Sequence, residues 1–310
     1  MIKCSKMEKF KFQRLKKLLP GLKRNILLKN YTTFRIGGKA KFLFVAQNKE
    51  DLIKKTSTAK KIKLPFFILG GGSNVLISDK GYNGLVIKTL NKRYKVESNK
   101  IYAEAGTPLG KLVDSAAKTG LAGLEWAVGI PGTIGGAIFG NAGAFGKSIR
   151  GMVKEVEVFD AIEEKIRVFP KNKCCFGYRK SIFKKKKNLI ILSVVLMLKK
   201  GKKTEISNKM KENLEHKIRT QPLNSPSVGC VFKNPKGFFA AELIEKCGLK
   251  GKKIGGIKVS EKHANFILNF KKGKANDVKK LMKLIKQKVK KQFGILLEEE
   301  IQFLPLDKHS

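Results

Sequence analysis

Gly129-Ile130-Pro131-Gly132-Thr133-Ile134-Gly135-Gly136-Ala137 runs on into Asn141-Ala142-Gly143 in the middle of the chain. A second glycine-dense stretch, Gly70-Gly71-Gly72-Ser73-Asn74, follows directly on the apolar run Leu64-Pro65-Phe66-Phe67-Ile68-Leu69. Without a Cβ, such a loop lets several backbone N–H groups close in on one anion. Two of them in one chain imply a pyrophosphate-containing cofactor held from two sides. The competing reading, plain glycine turns in an α+β domain, has to be invoked twice.

Working outward, 310 residues suit two or three compact units, and 42% apolar residues supply a sizeable core. The longest apolar run, Leu189–Leu198, is about half of what a membrane helix needs and is rich in β-branched residues, so it reads as a buried strand. The N-terminus is basic but has no uninterrupted apolar stretch, which argues against a secretory signal and for a cytoplasmic protein.

The formal charge of +43 invites a nucleic-acid reading. Against it, the lysines spread along the whole chain and only eight residues are Arg, the side chain suited to bidentate base contacts. No specific nucleic-acid partner is expected; a negatively charged small substrate is favoured by the same field. Five cysteines without a Cys-x-x-Cys pair imply reduced thiols and no metal site. His216 and His263 have no second ligand at helical spacing.

The alternation in Phe42–Ala46 predicts a strand, and Asn48 caps a helix to about Lys61. A strand at Phe66–Leu69 then delivers the first glycine loop. Further strands are expected at Gly84–Lys88, Lys100–Gly106, Met152–Asp160, Lys165–Phe169 and Leu189–Leu198. Between them Thr107 is read as the N-cap and Pro108 as the first residue of a helix through Ala117. After Lys199 the period becomes helical, with helices over Lys203–Arg219, Ala240–Cys247 and Asn276–Phe293, a strand at Phe266–Asn269, and a terminal strand opened by Glu300.

The loops fit neither common nucleotide fingerprint. No Gly-x-Gly-x-x-Gly follows the first strand, and no Gly-Lys-Ser/Thr ends either loop. In a chain that prefers Lys, Arg35, Arg150, Arg179 and Arg219 hint at places where a planar fork is needed, most of all Arg179 in Phe176-Gly177-Tyr178-Arg179-Lys180-Ser181. Cys230, in Ser227-Val228-Gly229-Cys230-Val231-Phe232-Lys233-Asn234-Pro235, follows a permissive glycine and precedes two polar side chains. A lone cysteine is more often core filler than catalyst.

These segments, with Tyr31–Gly38, Ala240–Gly251 and Phe293-Gly294-Ile295 leading to Glu300, resemble in order those of the UDP-N-acetylenolpyruvoylglucosamine reductases, flavoenzymes of bacterial peptidoglycan precursor synthesis. The resemblance runs from about Asn30 to Leu304. It implies an α+β protein: an FAD-binding unit of the vanillyl-alcohol-oxidase/PCMH type over residues 30–200, with subdomains of about 30–92 and 93–200, then a substrate-binding α+β domain over 201–310, all preceded by a basic segment, 1–29. It implies FAD held by Gly70, Gly71, Gly72, Ser73, Asn74, Gly132, Gly135 and Gly136, with Asn141, Ala142 and Gly143 beside them. NADPH is the implied co-substrate and a UDP-sugar the substrate, handled by a monomer. Arg179, Cys230 and Glu300 become the catalytic residues, and Lys233 and Asn234 substrate contacts.

Two departures from the family pattern matter. Most members carry Ser at the proton-donor position, where this chain has Cys230, and the positive field is expected to lower its pKa and bring in a basic activity limb earlier than Ser would. The span Ser181–Arg219 is short and has no Tyr, which matches the subclass lacking a substrate-covering Tyr insertion. A flavin oxidase of the same cofactor fold is the nearest rival; such oxidases often tether flavin through a His or Cys in the first domain, whereas His216, His263 and His309 all follow residue 200. A basic nucleic-acid-binding or scaffolding protein is the rival of a different class.

Overall fold

The computed structural model describes residues 12, 13 and 15–305. Most of the basic segment before residue 15, Cys4 and His309 lie outside the described residues.

The first sheet contains β1 (Lys23–Leu27), β2 (Lys39–Ala46), β3 (Phe66–Leu69) and β5 (Tyr82–Thr89) in the order β1-β2-β5-β3, while β4 (Val75–Ile77) stands apart. Helix α1 (Lys49–Lys61) connects β2 to β3 and starts as the sequence predicts: the Asn48 side chain accepts the Asp51 N–H at 2.7 Å. This parallel crossover brings the end of β3 to the middle of the molecule, where the first glycine loop begins.

The second sheet is antiparallel, in the order β9-β8-β10-β7-β6, built from β6 (Tyr94–Glu97), β7 (Lys100–Glu104), β8 (Val153–Asp160), β9 (Lys165–Pro170) and β10 (Leu189–Met197). β10 is the long apolar run, and it is buried on both faces because it lies between two cores. Leu189 and Ile191 face one core, and Ile190 and Leu192 face the other. The register against β8 slips between Glu157/Ser193 and Val158/Ile191, so Leu192 is one residue extra. That bulge inverts the alternation and returns Val194 and Leu196 to the first core. Each such buried side chain stabilises the fold by about 1.5–3 kcal/mol.

Helix α2 (Leu109–Lys118) lays Leu109, Leu112, Val113 and Ala116 on that first core. Its start departs from expectation. Thr107 is not the cap: its hydroxyl donates to the Arg93 carbonyl at 3.3 Å, and Pro108 takes the N-cap position with extended ψ. The cause is the second glycine loop, which uses this segment. Leu109 N–H donates to Gly132 O, and Ile134 N–H donates to Thr107 O. The loop then enters α3 (Ile134–Gly140), and a single turn, α4 (Ile182–Lys185), precedes β10.

Helix α5 (Lys203–Thr220) leaves the second sheet and packs on α2 and on the turn Glu125–Ala127. Beyond it, β11 (Ser227–Cys230), β12 (Lys253–Ile254), β13 (Ile257–Val259) and β14 (Phe266–Asn269) form an antiparallel sheet in the order β11-β14-β13-β12. Helices α6 (Ala240–Lys246) and α7 (Ala275–Phe293) cover it, with Val278, Leu281, Met282, Ile285 and Val289 of α7 buried at helical spacing. This core also takes in Phe34, Ile36 and Leu76 from the first subdomain. The terminal strand β15 (Gln302–Leu304) pairs in parallel with β4, immediately after the first glycine loop. It begins two residues later than expected, so Glu300 sits in the connection before it. Among the described residues no helix is long and apolar enough to cross a membrane.

Candidate active site

The two glycine loops touch. A methyl group on Gly71 would stand 2.5 Å from Gly132 Cα, and the Ser73 hydroxyl donates to Pro131 O at 3.1 Å. Only glycines permit this approach, so the loops form one continuous wall and do not clamp from opposite sides. Along it, among the described residues, the N–H groups of Gly71, Gly72, Ser73 and Asn74 donate to no protein acceptor. Such a row in a loop is an anion-binding concavity.

That wall belongs to a cavity of about 1110 Å³, lined also by Gly70, Gly135, Gly136, Ala142, Gly143, Arg179, Cys230 and Glu300. It is at the upper end of ordinary small-molecule sites. Among the described residues its cationic lining is Arg35, Lys88, Arg179, Lys184, Lys187 and Lys217, and its acidic lining is Glu300 alone. Free N–H groups, glycine cradle and cation excess together fit a large dinucleotide with a pyrophosphate, as FAD is.

Three elements deliver the reactive corner. Tyr178 and Arg179 form the tip of a tight turn closed by reciprocal bonds between Gly177 and Lys180. Arg179 is left-handed there, with φ 54°, at a cost of about 1–2 kcal/mol for a non-glycine residue. The surroundings hold it: Nε lies 2.5 Å from Glu300 Oε1, and Nη1 donates to Gly143 O at 3.2 Å. The Nε contact is close but off the line of a well-aligned hydrogen bond, so it is best described as an ion pair. Asn141 braces the turn, its amide donating to Gly177 O at 2.8 Å while its oxygen accepts the Arg150 N–H. It does not line the cavity.

Cys230 ends β11, and Glu300 is carried to it by a short antiparallel bridge. Glu300 N–H donates to Val231 O at 2.8 Å, and Lys233 N–H donates to Glu298 O at 2.9 Å. Asn74 of the first glycine loop donates its amide to Glu300 O at 3.3 Å, tying the anion-binding wall to the acid. Burial raises the Glu300 pKa; Arg179, then Lys184 and Lys233, pull against that rise without cancelling it. Burial likewise pushes the Cys230 thiol up to about 12, with the Glu300 charge adding to it and Arg179 opposing. The direction is opposite to the lowering expected from the sequence: desolvation outweighs the positive field and favours the protonated thiol.

Lys233 and Asn234 do not line the cavity. Lys233 Nζ pairs with the exposed Glu298 at 2.7 Å, and the Asn234 N–H donates to the Tyr178 hydroxyl at 3.1 Å, at the rim next to Arg179. Of the other arginines, Arg35 lines the cavity, while Arg150 lies in a separate surface groove and Arg219 is exposed. Lys88, Lys184 and Lys217 were not legible as site residues among the chain's many lysines.

Residues 221–304 match the family described as UDP-N-acetylenolpyruvoylglucosamine reductase, C-terminal domain, and residues 40–168 match an FAD binding domain. The UDP-N-acetylenolpyruvoylglucosamine reductase of Caldicellulosiruptor bescii is 44% identical over 280 residues, 89% of this chain and 88% of that protein. The chain belongs to the UDP-N-acetylenolpyruvoylglucosamine reductase family. The member from Caldanaerobacter subterraneus subsp. tengcongensis is 42% identical over 89% of this chain and 91% of that protein. The crystal structure of the reductase from Thermus caldophilus superposes with a TM-score of 0.79 at 35% identity, covering 91% of this chain and 98% of that one. A reductase of this family is an FAD-dependent oxidoreductase, and the FAD-binding unit has the PCMH-type architecture that the resemblance implied.

Proposed function

We propose that this chain reduces UDP-N-acetylglucosamine enolpyruvate to UDP-N-acetylmuramate in peptidoglycan precursor synthesis, with NADPH as electron source and Arg179, Cys230 and Glu300 as catalytic residues. The observation that carries the reading is their meeting in one cation-rich cavity with both glycine loops. FAD, when bound, supplies the hydride that adds to the vinyl carbon distal to the substrate carboxylate. The remaining negative charge spreads onto that carboxylate as an enolate. Arg179, fixed by its turn, is a preorganised cation for this charge, and Glu300, whose pKa burial raises, can donate a hydrogen bond to it when protonated. Cys230 gives its proton to the adjacent carbon; a thiol pushed up to about 12 is fully loaded for this at neutral pH.

For the cofactor, the free N–H groups of Gly71–Asn74 and the wall around Gly132, Gly135, Gly136, Ala142 and Gly143 are assigned to the FAD pyrophosphate side, with Asn141 as a brace. Lys233 and Asn234 are assigned to the substrate at the rim. The domain scheme remains 30–200 for the cofactor unit and 201–310 for the substrate domain, with α5 as the joint that packs back on the former. The working form is a cytoplasmic monomer with no specific nucleic-acid partner. The test is optical: full-length protein purified without added cofactor carries a yellow flavin band that bleaches with NADPH and returns on addition of the enolpyruvyl UDP-sugar. A colourless protein that takes up no FAD defeats the proposal.

A further inference from the structure

Two lysines underpin the glycine wall, one behind each loop: Lys217 is buried and Lys88 half-buried. Lys217 on α5 is 2% exposed, and its Nζ donates to Trp126 O at 3.1 Å and Val128 O at 2.6 Å, the segment that leads into Gly129–Gly132. Lys88 on β5 donates to Gly70 O at the start of the first loop. Both line the cavity, and among the described residues neither has a carboxylate partner. Buried cations are ordinarily paired with an anion. Here, among the described residues, the protein supplies neutral carbonyls and, for Lys217, the face of the Phe145 ring, but no counter-charge.

We propose that Lys88 and Lys217, which line the cavity behind the two glycine loops, are the counter-charges of the FAD pyrophosphate, and that FAD binding is therefore linked to the protonation of these lysines. The inference rests on the FAD reading above. A neutral amine keeps two N–H groups, enough to hold Trp126 O and Val128 O, so the loop is not lost with the proton.

Burial alone lowers both lysines, Lys217 to about 8. The groups around Lys217 do not compensate it. His216, its helix neighbour, packs edge-on against Phe145, whose ring also faces the Lys217 ammonium at 5.4 Å. The Glu125 carboxylate is occupied by the Gly123 N–H at 2.8 Å. For Lys88, among the described residues, burial is the one influence that shifts its pKa, and no neighbouring charge opposes it. Elsewhere on the cavity wall Arg35, Lys184 and Lys187 add cations, burial favours the Cys230 thiol, and Glu300 is engaged by Arg179.

The sign follows. Below about pH 8 Lys217 is charged with or without ligand, and affinity is independent of pH. Above it, the competent charged fraction falls about tenfold per pH unit, and the apparent Kd rises in proportion. The experiment is equilibrium release of FAD from the full-length holoenzyme, read by the fluorescence gained on release, between pH 6.5 and 9.5. The expected result is a Kd about tenfold higher at pH 9 than at pH 7. Lys217→Met is expected to bind FAD more weakly at pH 7 with the rise abolished, and Lys217→Arg to keep affinity with the rise abolished. A flat wild-type profile overturns the proposal without any variant. So does a Lys217→Met protein that holds FAD as tightly as wild type at pH 7, or a Lys217→Arg protein that keeps the rise. A yellow protein with a flat profile fails this inference alone; a protein that takes up no FAD fails the functional reading itself.

Discussion

The wall and the corner of this cavity are built by opposite means. The wall recognises through what is missing: Gly71 meets Gly132 because neither has a side chain, and the contacts on offer are main-chain N–H groups. The corner recognises through side chains, with Arg179, Cys230 and Glu300 delivered by a turn, a strand end and a bridge far apart in the chain. A wall of backbone tolerates no added bulk but is indifferent to chemistry. A corner of side chains tolerates reshaping but not a change of charge.

The largest effect expected from this contrast is at Arg179. Arg179→Met removes the cation opposite the developing enolate and should lower kcat by about 10²–10³, while flavin absorbance per protein stays at the wild-type value. Loss of flavin together with activity would mean that the two regions are not separable. The reverse perturbation is Gly71→Ala. The added methyl has to push Gly132 backbone away, costing about 1–3 kcal/mol, and should lower the flavin-to-protein absorbance ratio with a drop in Tm. A variant with full flavin content and unchanged Tm would break the account of the wall.

Cys230→Ser asks how far the corner tolerates new chemistry. With the thiol pushed up to about 12, its proton is present below that pH and lost only as pH rises through it. The kcat/KM profiles of Cys230→Ser and wild type should therefore have the same basic limb up to pH 9, with rates within about tenfold of each other. An earlier limb in the wild type would restore the thiolate reading. The smallest effect is at the rim: Lys233→Met breaks an exposed pair with Glu298, so stability should change by under about 1 kcal/mol in thermal unfolding, while KM for the UDP-sugar rises. An unchanged KM would remove Lys233 from the substrate assignment.

The two regions also differed in how far they could be read in advance. The wall was legible because glycine density is a local signal, as were α1 with its Asn48 cap and α7 with its apolar stripe. The corner could be placed only by resemblance, since nothing local in Glu298-Glu299-Glu300 announces that Glu300 N–H will find Val231 O. Thr107 misled for a related reason: its sequence context is a cap, but its hydroxyl and carbonyl are taken by distant partners, Arg93 and Ile134. The Leu192 bulge has no signature in a run that is apolar at every position around it. Lys88 and Lys217 were invisible because 67 basic residues bury the signal of two.

The strand after the first glycine loop, Val75–Ile77, finds its hydrogen-bonding neighbour only at Gln302–Leu304. The support of that loop is therefore complete only once the chain has been made through Leu304. A truncation of the last ten described residues would remove that support and is expected to cost flavin binding much as an injury to the loop itself would.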